Sequence, residues 1–162
     1  GPADCGPLAG GVMGDTIVCV DGTRVIGTCL AQRLTQGGYH AINAGQDIYV
    51  LEAEVDSAGK IIFRDNARFM VEGKHVLILM ASLTTGKTAQ QSMESIQYYG
   101  GILQGVSAVF SAVDSVNGVP VISVFGKKDL PDYEAYDYRN CPMCKKGEKI
   151  RALVNSFGYS AL

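Results

Sequence analysis

His75-Val76-Leu77-Ile78-Leu79-Met80-Ala81-Ser82-Leu83-Thr84-Thr85-Gly86-Lys87-Thr88 runs from an apolar string into a loop of Thr and Gly, and the helical spacing of Ala89, Met93 and Ile96 follows at once. An unbroken apolar run bounded by turn signals reads as a strand buried on both faces. Backbone N–H groups at a helix start carry partial positive charge and can hold a phosphate, and glycine lets the ligand approach the backbone closely. Ser82, Leu83, Thr84, Thr85, Gly86, Lys87 and Thr88 therefore form a candidate phosphate loop, with hydroxyl donors at Thr84, Thr85 and Thr88. Threonine is also an ordinary N-cap, so helix capping is the plain alternative for the same residues.

Working outward, further runs rich in Val and Ile lie at Thr16 to Val20, Asp47 to Leu51, Val106 to Val113 and Val119 to Phe125. Between the first two, Val25, Ile26, Cys29, Leu30 and Leu34 fall on one face of a predicted helix. Gly37-Gly38 and Gly100-Gly101 close the two helices, where a residue with positive φ is needed. Alternation of strand and helix predicts an α/β fold, a mainly parallel central sheet flanked by helices, with ligands at the carboxyl ends of the strands. The Leu51 to Phe69 stretch carries Asp56-Ser57-Ala58-Gly59-Lys60 between short apolar runs and reads as a β-hairpin excursion from the sheet. Residues 3–126 are expected to form this domain, and residues 127–162 a C-terminal appendage packed on it.

Composition sets the limits. Across 162 residues, 47% are hydrophobic and 19% charged, enough to bury a continuous core in one domain despite 20 glycines. The net charge of −2 gives no general excess of Lys and Arg for nucleic-acid phosphates. No apolar run approaches the roughly 20 residues that span a bilayer, and no charged-then-apolar leader opens the chain, so no membrane association is expected. The five cysteines, at positions 5, 19, 29, 141 and 144, are an odd number that fits no closed disulfide framework, and a cytoplasmic location follows. Gly1 and Pro2 look like a protease remnant, with the natural sequence starting near Ala3 or further upstream.

Ala81 to Thr88 also ends like the P-loop G-x-x-x-x-G-K-[ST], with Ala81 in place of the first glycine. About two strands follow it, a cramped remainder for a nucleotide hydrolase. This P-loop nucleotide-binding reading is the weaker alternative.

The order of elements favours another comparison. Val76 to Thr88 resembles the phosphoribosyl pyrophosphate (PRPP) loop of type I phosphoribosyltransferases, whose fold is Rossmann-like. Asp21, Gly22, Thr23 and Arg24, at the end of an early strand and the start of a helix, match the place of that family's pyrophosphate loop. Gly59-Lys60-Ile61-Ile62-Phe63-Arg64 is similar to the mobile hairpin of orotate phosphoribosyltransferases. Asn140-Cys141-Pro142-Met143-Cys144-Lys145-Lys146-Gly147 is similar to the Cys-Pro-Leu-Cys tail of one orotate phosphoribosyltransferase group. The resemblance covers roughly residues 16 to 148.

It implies a transferase acting in nucleotide metabolism, which moves ribose 5-phosphate from PRPP to a pyrimidine or purine base. It further implies Mg²⁺ brought in with PRPP, a homodimer, and Lys60 and Arg64 near pyrophosphate and substrate. The pattern departs at one point: active members carry an acidic pair where this chain has Met80 and Ala81. The transition state is oxocarbenium-like, and losing preorganised negative charge there costs several kcal/mol, on the order of hundreds to thousands-fold in rate. The expectation is a phosphoribosyltransferase-like domain that binds PRPP, a nucleotide or phosphate with impaired or no catalysis. A working phosphoribosyltransferase, with Asp114 or Asp21 standing in for the pair, is the alternative. With few residues before Thr16, the family's hood over the base is expected to be reduced, absent, or in a part of the natural protein upstream of this sequence.

Cys141 and Cys144 have the spacing of half a zinc knuckle, yet no second pair matches it, and a structural zinc needs four ligands. A metal-free turn or a reversible disulfide is expected there, and no metal site. His40 and His75, beside apolar strands, read as structural. Tyr133, Tyr136 and Tyr138, beside Asp132, Glu134 and Asp137, read as a dimer contact or as packing under the tail.

Overall fold

The computed structural model describes residues 14–36, 47–155 and 157–162. Gly1, Pro2, Cys5, Gly37, Gly38 and His40 lie outside them. The elements run β1 (Thr16–Cys19), α1 (Arg24–Gln36), β2 (Tyr49–Glu52), β3 (Glu54–Val55), β4 (Ile61–Ile62), α2 (Asp65–Arg68), β5 (His75–Leu83), α3 (Lys87–Tyr98), β6 (Ile102–Ser111), β7 (Ser115–Val116) and β8 (Val119–Gly126). A single 3₁₀ turn (Lys127–Asp129), α4 (Pro142–Lys145), β9 (Ala152–Asn155) and β10 (Gly158–Ala161) follow.

Six strands form the main sheet in the order β2-β1-β5-β6-β8-β7. The first five are parallel, and β7 pairs antiparallel with β8. Strand side chains alternate between faces, which divides the core in two. Ile17 and Cys19 of β1 and Leu77 and Leu79 of β5 pack with Leu30 and Ala31 of α1 on one face. Val18, Val76, Ile78 and Met80 pack on the other, with Ala89, Met93 and Ile96 of α3. A fully buried side chain of this size contributes about 1.5–3 kcal/mol, so the sheet interior dominates stability.

Every strand expected from the apolar runs is present, with shifted ends. Val20 lies just beyond β1, and β5 continues to Leu83, so that Ser82 and Leu83 are paired with Phe110 and Ser111 rather than in a loop. The expected face of α1 holds in part. Ile26, Leu30 and Leu34 pack on the core, but Val25 is 76% exposed and Cys29 is exposed, while Gly27 and Ala31 are buried. Gly27 is the cause: it lets the helix lie against β1 so closely that a Cβ there would stand 2.4 Å from Cys19 Sγ.

The hairpin excursion is β3 paired antiparallel with β4. Asp56 closes its tip by accepting the backbone N–H groups of Ala58 and Lys60 at 2.8 and 2.9 Å, and Gly59 takes φ +82°. The hairpin is tied to α3 by the Ile61 N–H, which donates to Ser95 Oγ at 3.2 Å. Gly100, at φ +79°, ends α3 as expected. In the C-terminal stretch, Tyr133 meets Phe110 of β6 edge-on with ring centroids 4.9 Å apart, and β9 and β10 pair as a separate antiparallel hairpin.

Candidate functional site

Parallel strands put all their carboxyl ends on one edge, and β1 and β5 are neighbours there, with Cys19 opposite Leu79. The chain leaving β1 turns at once. Asp21 and Gly22 both take positive φ, +57° and +75°, and the next residue, Thr23, is 1% exposed. Its hydroxyl lies 2.9 Å from both the Val20 and the Leu79 carbonyl oxygens, and the Val20 N–H donates to Leu79 O at 2.8 Å. The first loop is thereby fastened to the strand that carries the second. Thr23 is an anchor of the turn, while Asp21 and Gly22 are exposed.

The second loop is short. Thr84, Thr85 and Gly86 alone connect β5 to α3. Gly86 is the N-cap of α3 at φ 81°, ψ −1°, and no side-chain hydrogen bond caps this end. The first N–H groups of any helix have no partner within it. The reading of Thr84, Thr85 and Thr88 as helix caps is thus not what the fold does with them. Together with Met80, Ser82, Leu83, Lys87 and Ala89 they line a cavity of about 40 Å³, space for roughly three waters or one tetrahedral anion. No acidic residue lies in the first turn of α3. A P-loop fits less well, because Ala81, at the position of its first glycine, lies inside β5, which leaves too little loop to wrap a phosphate chain.

The positions of the acidic pair are now defined. Met80 is 1% exposed and packed in the core, whereas Ala81 is half-buried on the opposite face of the strand. Of the acids considered as replacements, Asp21 follows β1 and Asp114 follows β6; both are exposed at the same edge as the phosphate loop.

Arg24 opens α1, and its guanidinium faces Glu52 at the end of β2 across 3.9 Å with both side chains largely exposed. Such a pair is loose and screened, so Arg24 stays available to an anion. Arg64 is engaged: its Nε donates to Glu54 Oε2 at 2.8 Å and its terminal nitrogen pairs with Glu54 Oε1. This contact holds the Glu54 carboxyl below its usual range and raises Arg64. Lys60 lines a different cavity, about 480 Å³, with Asp56, Gln91, Glu94, Ser95 and Tyr98. That cavity shares no lining residue with the one at the phosphate loop.

Two supporting residues escaped the sequence reading. Val116 of β7 packs over Gly86, and Glu52 faces Arg24. The first had a signal: Asn117-Gly118, at φ +48° and +78°, is the two-residue turn that marks a tight hairpin. Glu52 had none. Cys19 is fully buried, and burial pushes its thiol up to about 11, which keeps it inert. His75 is structural as expected. Its backbone N–H donates to Asp15 Oδ2 at 2.8 Å, and its Nδ1 lies 2.9 Å from the same oxygen. Among the described residues, no three His, Cys, Asp or Glu side chains converge on a point where a metal ion could sit, and no helix is long and apolar enough to cross a membrane.

Compared with known proteins, the chain is 33% identical over 89 residues to an orotate phosphoribosyltransferase of Campylobacter jejuni subsp. doylei, and to that of C. jejuni subsp. jejuni to the same extent. The match takes in 48% of this chain and 44% of the relative, so the chain spans less than half the length of these curated relatives. No family model matches. Among solved structures, adenine phosphoribosyltransferase from Thermoanaerobacter pseudethanolicus superposes with a TM-score of 0.51 at 19% identity, over 74% of each chain. Mycobacterium tuberculosis H37Rv orotate phosphoribosyltransferase, in complex with inorganic phosphate, superposes with a TM-score of 0.50 at 21% identity, over 76% of this chain and 66% of that one. The shared feature is the mostly parallel six-stranded sheet with its helices.

Proposed function

We propose that this chain, a type I phosphoribosyltransferase family protein close to the orotate phosphoribosyltransferases, binds the phosphate of a phosphorylated ribose at the Thr84–Thr88 loop and has impaired or no transferase activity. One observation carries the reading. The N-terminus of α3 is left without a side-chain cap, while Thr84, Thr85 and Thr88 line a cavity there of anion size. PRPP, or a nucleotide with a 5′-phosphate, is the ligand class. Mg²⁺ enters as part of the substrate, held chiefly by pyrophosphate; Asp21, Gly22, Thr23 and Arg24 would face that pyrophosphate, with the loop backbone as the main binder.

The impairment follows from Met80 and Ala81. An apolar side chain in the core and a methyl group cannot supply negative charge next to the ribose C1, where an oxocarbenium-like transition state needs it. The protein is read as a cytoplasmic homodimer. The dimer is what the resemblance to the phosphoribosyltransferases implies, with the mobile hairpin of one subunit reaching its neighbour's site. Residues 127–162 are read as an appendage to the domain of residues 3–126, and the Phe110–Tyr133 contact supports its packing there.

A second reading, an active phosphoribosyltransferase acting on a pyrimidine or purine base, draws support from Asp21 and Asp114 at the same sheet edge. Calorimetric titration with PRPP and Mg²⁺ tests the first. Saturable binding that inorganic phosphate competes away is expected; no heat from a folded chain at high concentration would overturn it. A screen for pyrophosphate release with one base at a time separates the two readings, since steady release with any base establishes the second.

A further inference from the structure

Cys141 and Cys144 lie in the C-terminal stretch, in a turn that the phosphate loop does not use. Cys141 is the N-cap of α4, Pro142 follows it, and the Cys144 N–H donates to Cys141 Sγ at 3.2 Å. We propose that Cys141 and Cys144 form a dithiol site for exchange with small-molecule disulfides, in which Cys141 attacks and Cys144 resolves.

Three observations support this assignment. Proximity comes first. The Cys144 N–H reaches Cys141 Sγ at 3.2 Å, so both side chains belong to one turn, and a bridge needs their Cβ atoms at ~3.8 Å. Access is the second: Cys144 is exposed and Cys141 half-buried, so a small disulfide can reach both. Asymmetry is the third. Cys141 Sγ accepts the Cys144 N–H at 3.2 Å, whereas Cys144 Sγ has no such donor among the described contacts; the Cys144 side chain first and then this N–H lower the Cys141 thiol from its ordinary value, and the Cys141 side chain raises Cys144. The thiolate is the nucleophile in exchange, so the roles are unequal. The other described cysteines differ. Cys19 is sealed in the core, and Cys29 is exposed on α1.

The chemistry balances without a further reactant. Cys141 gives its proton to water, and its sulfur bonds to one sulfur of the disulfide. That S–S bond breaks, and the departing sulfur leaves with the electron pair and takes a proton. Cys144 then loses its proton and attacks the Cys141 sulfur; the mixed disulfide breaks, and the second small thiol leaves. The protein dithiol has been oxidised by two electrons and one disulfide reduced to two thiols.

The test uses the full chain with oxidised glutathione, followed by thiol alkylation and peptide mapping. The parent protein is expected to acquire a Cys141–Cys144 bridge and no lasting adduct at either position. C144S should hold glutathione on Cys141, and C141S should take it up on Cys144 at least about ten times more slowly. In urea that difference should vanish. Absence of the bridge, equal rates in the two variants, or a rate difference that persists in the unfolded chain would each overturn the assignment. None of these outcomes depends on phosphate binding, so this proposal and the phosphate-loop reading stand or fall separately.

Discussion

Val116 occupies the space that a side chain at Gly86 would need: a Cβ built on Gly86 would stand 3.1 Å from Val116 Cγ2. Gly86 also takes φ +81°, a region that disfavours any Cβ by about 1–2 kcal/mol. Gly86→Ala is therefore expected to lose about 1–3 kcal/mol of stability in urea unfolding and to weaken phosphate binding at least about tenfold. Adding Val116→Ala should recover the packing share of the stability loss and leave the backbone share. Full recovery by the double variant would show that φ at Gly86 is not under strain.

Met80 and Ala81 are neighbours in β5 with opposite surroundings, so reintroducing acids there is not one experiment but two. Met80→Asp places a carboxylate among Ile78, Val106 and Ala108 and should cost about 3–5 kcal/mol. Ala81→Asp, half-buried, should leave the melting temperature nearly unchanged. Pyrophosphate release from PRPP by A81D, measured against the parent, then reports on the missing charge alone. Comparable stability of the two variants would mean that Met80 is not in the core.

Gly27 and Cys19 set how closely α1 lies on β1. Gly27→Ala should destabilise by about 1–3 kcal/mol through overpacking, because its Cβ would meet Cys19 Sγ at 2.4 Å. Cys19→Ala removes that sulfur, so the double variant should be more stable than G27A. A double-mutant cycle by chemical denaturation measures the coupling; a coupling near zero would contradict the contact.

Asp15 supplies a pH dependence of known sign. Its carboxyl is held below the usual range, chiefly by the hydrogen bond from the His75 N–H and then by the His75 side chain, against an opposing effect of burial. A folded-state value below the unfolded one stabilises the protein above the ordinary Asp value, near 3.9. That contribution fades as pH falls through the lowered value. Asp15→Asn should cost about 1 kcal/mol at neutral pH, the pair being a third exposed. The difference between parent and variant should shrink in acid, and one constant from neutral pH into acid would exclude this role.

Much of the architecture was legible locally. The apolar run from His75 to Met80 and the spacing of Ala89, Met93 and Ile96 gave a buried strand and its helix, and Asp56 to Lys60 gave the hairpin tip, because strand and helix periods are short-range patterns. The face of α1 was legible only in part. Ile26, Leu30 and Leu34 of the expected stripe do pack on the core, but Val25 and Cys29 fit that stripe equally well and are exposed, while Gly27 and Ala31 are buried; the close approach of Gly27 to Cys19 goes with that choice. The site shows the same division. The Thr and Gly content of residues 84–88 pointed to an anion, but a threonine's hydroxyl can either cap a helix or face a ligand, and composition does not separate the two.

What the sequence determined by itself was therefore the alternation of strand and helix, the parallel sheet it entails, and the two loops at the sheet's carboxyl edge. The tertiary structure decided what those loops rest on and what the charges do. Thr23 holds the Leu79 carbonyl 56 residues away, Val116 closes over Gly86, Arg64 is taken up by Glu54, and Lys60 faces the middle of α3. The reason is physical. Hydrophobic period and backbone conformation are set by near neighbours along the chain, whereas close approach, hydrogen-bond partners and local charge depend on which distant residues the packed sheet brings within a few ångströms.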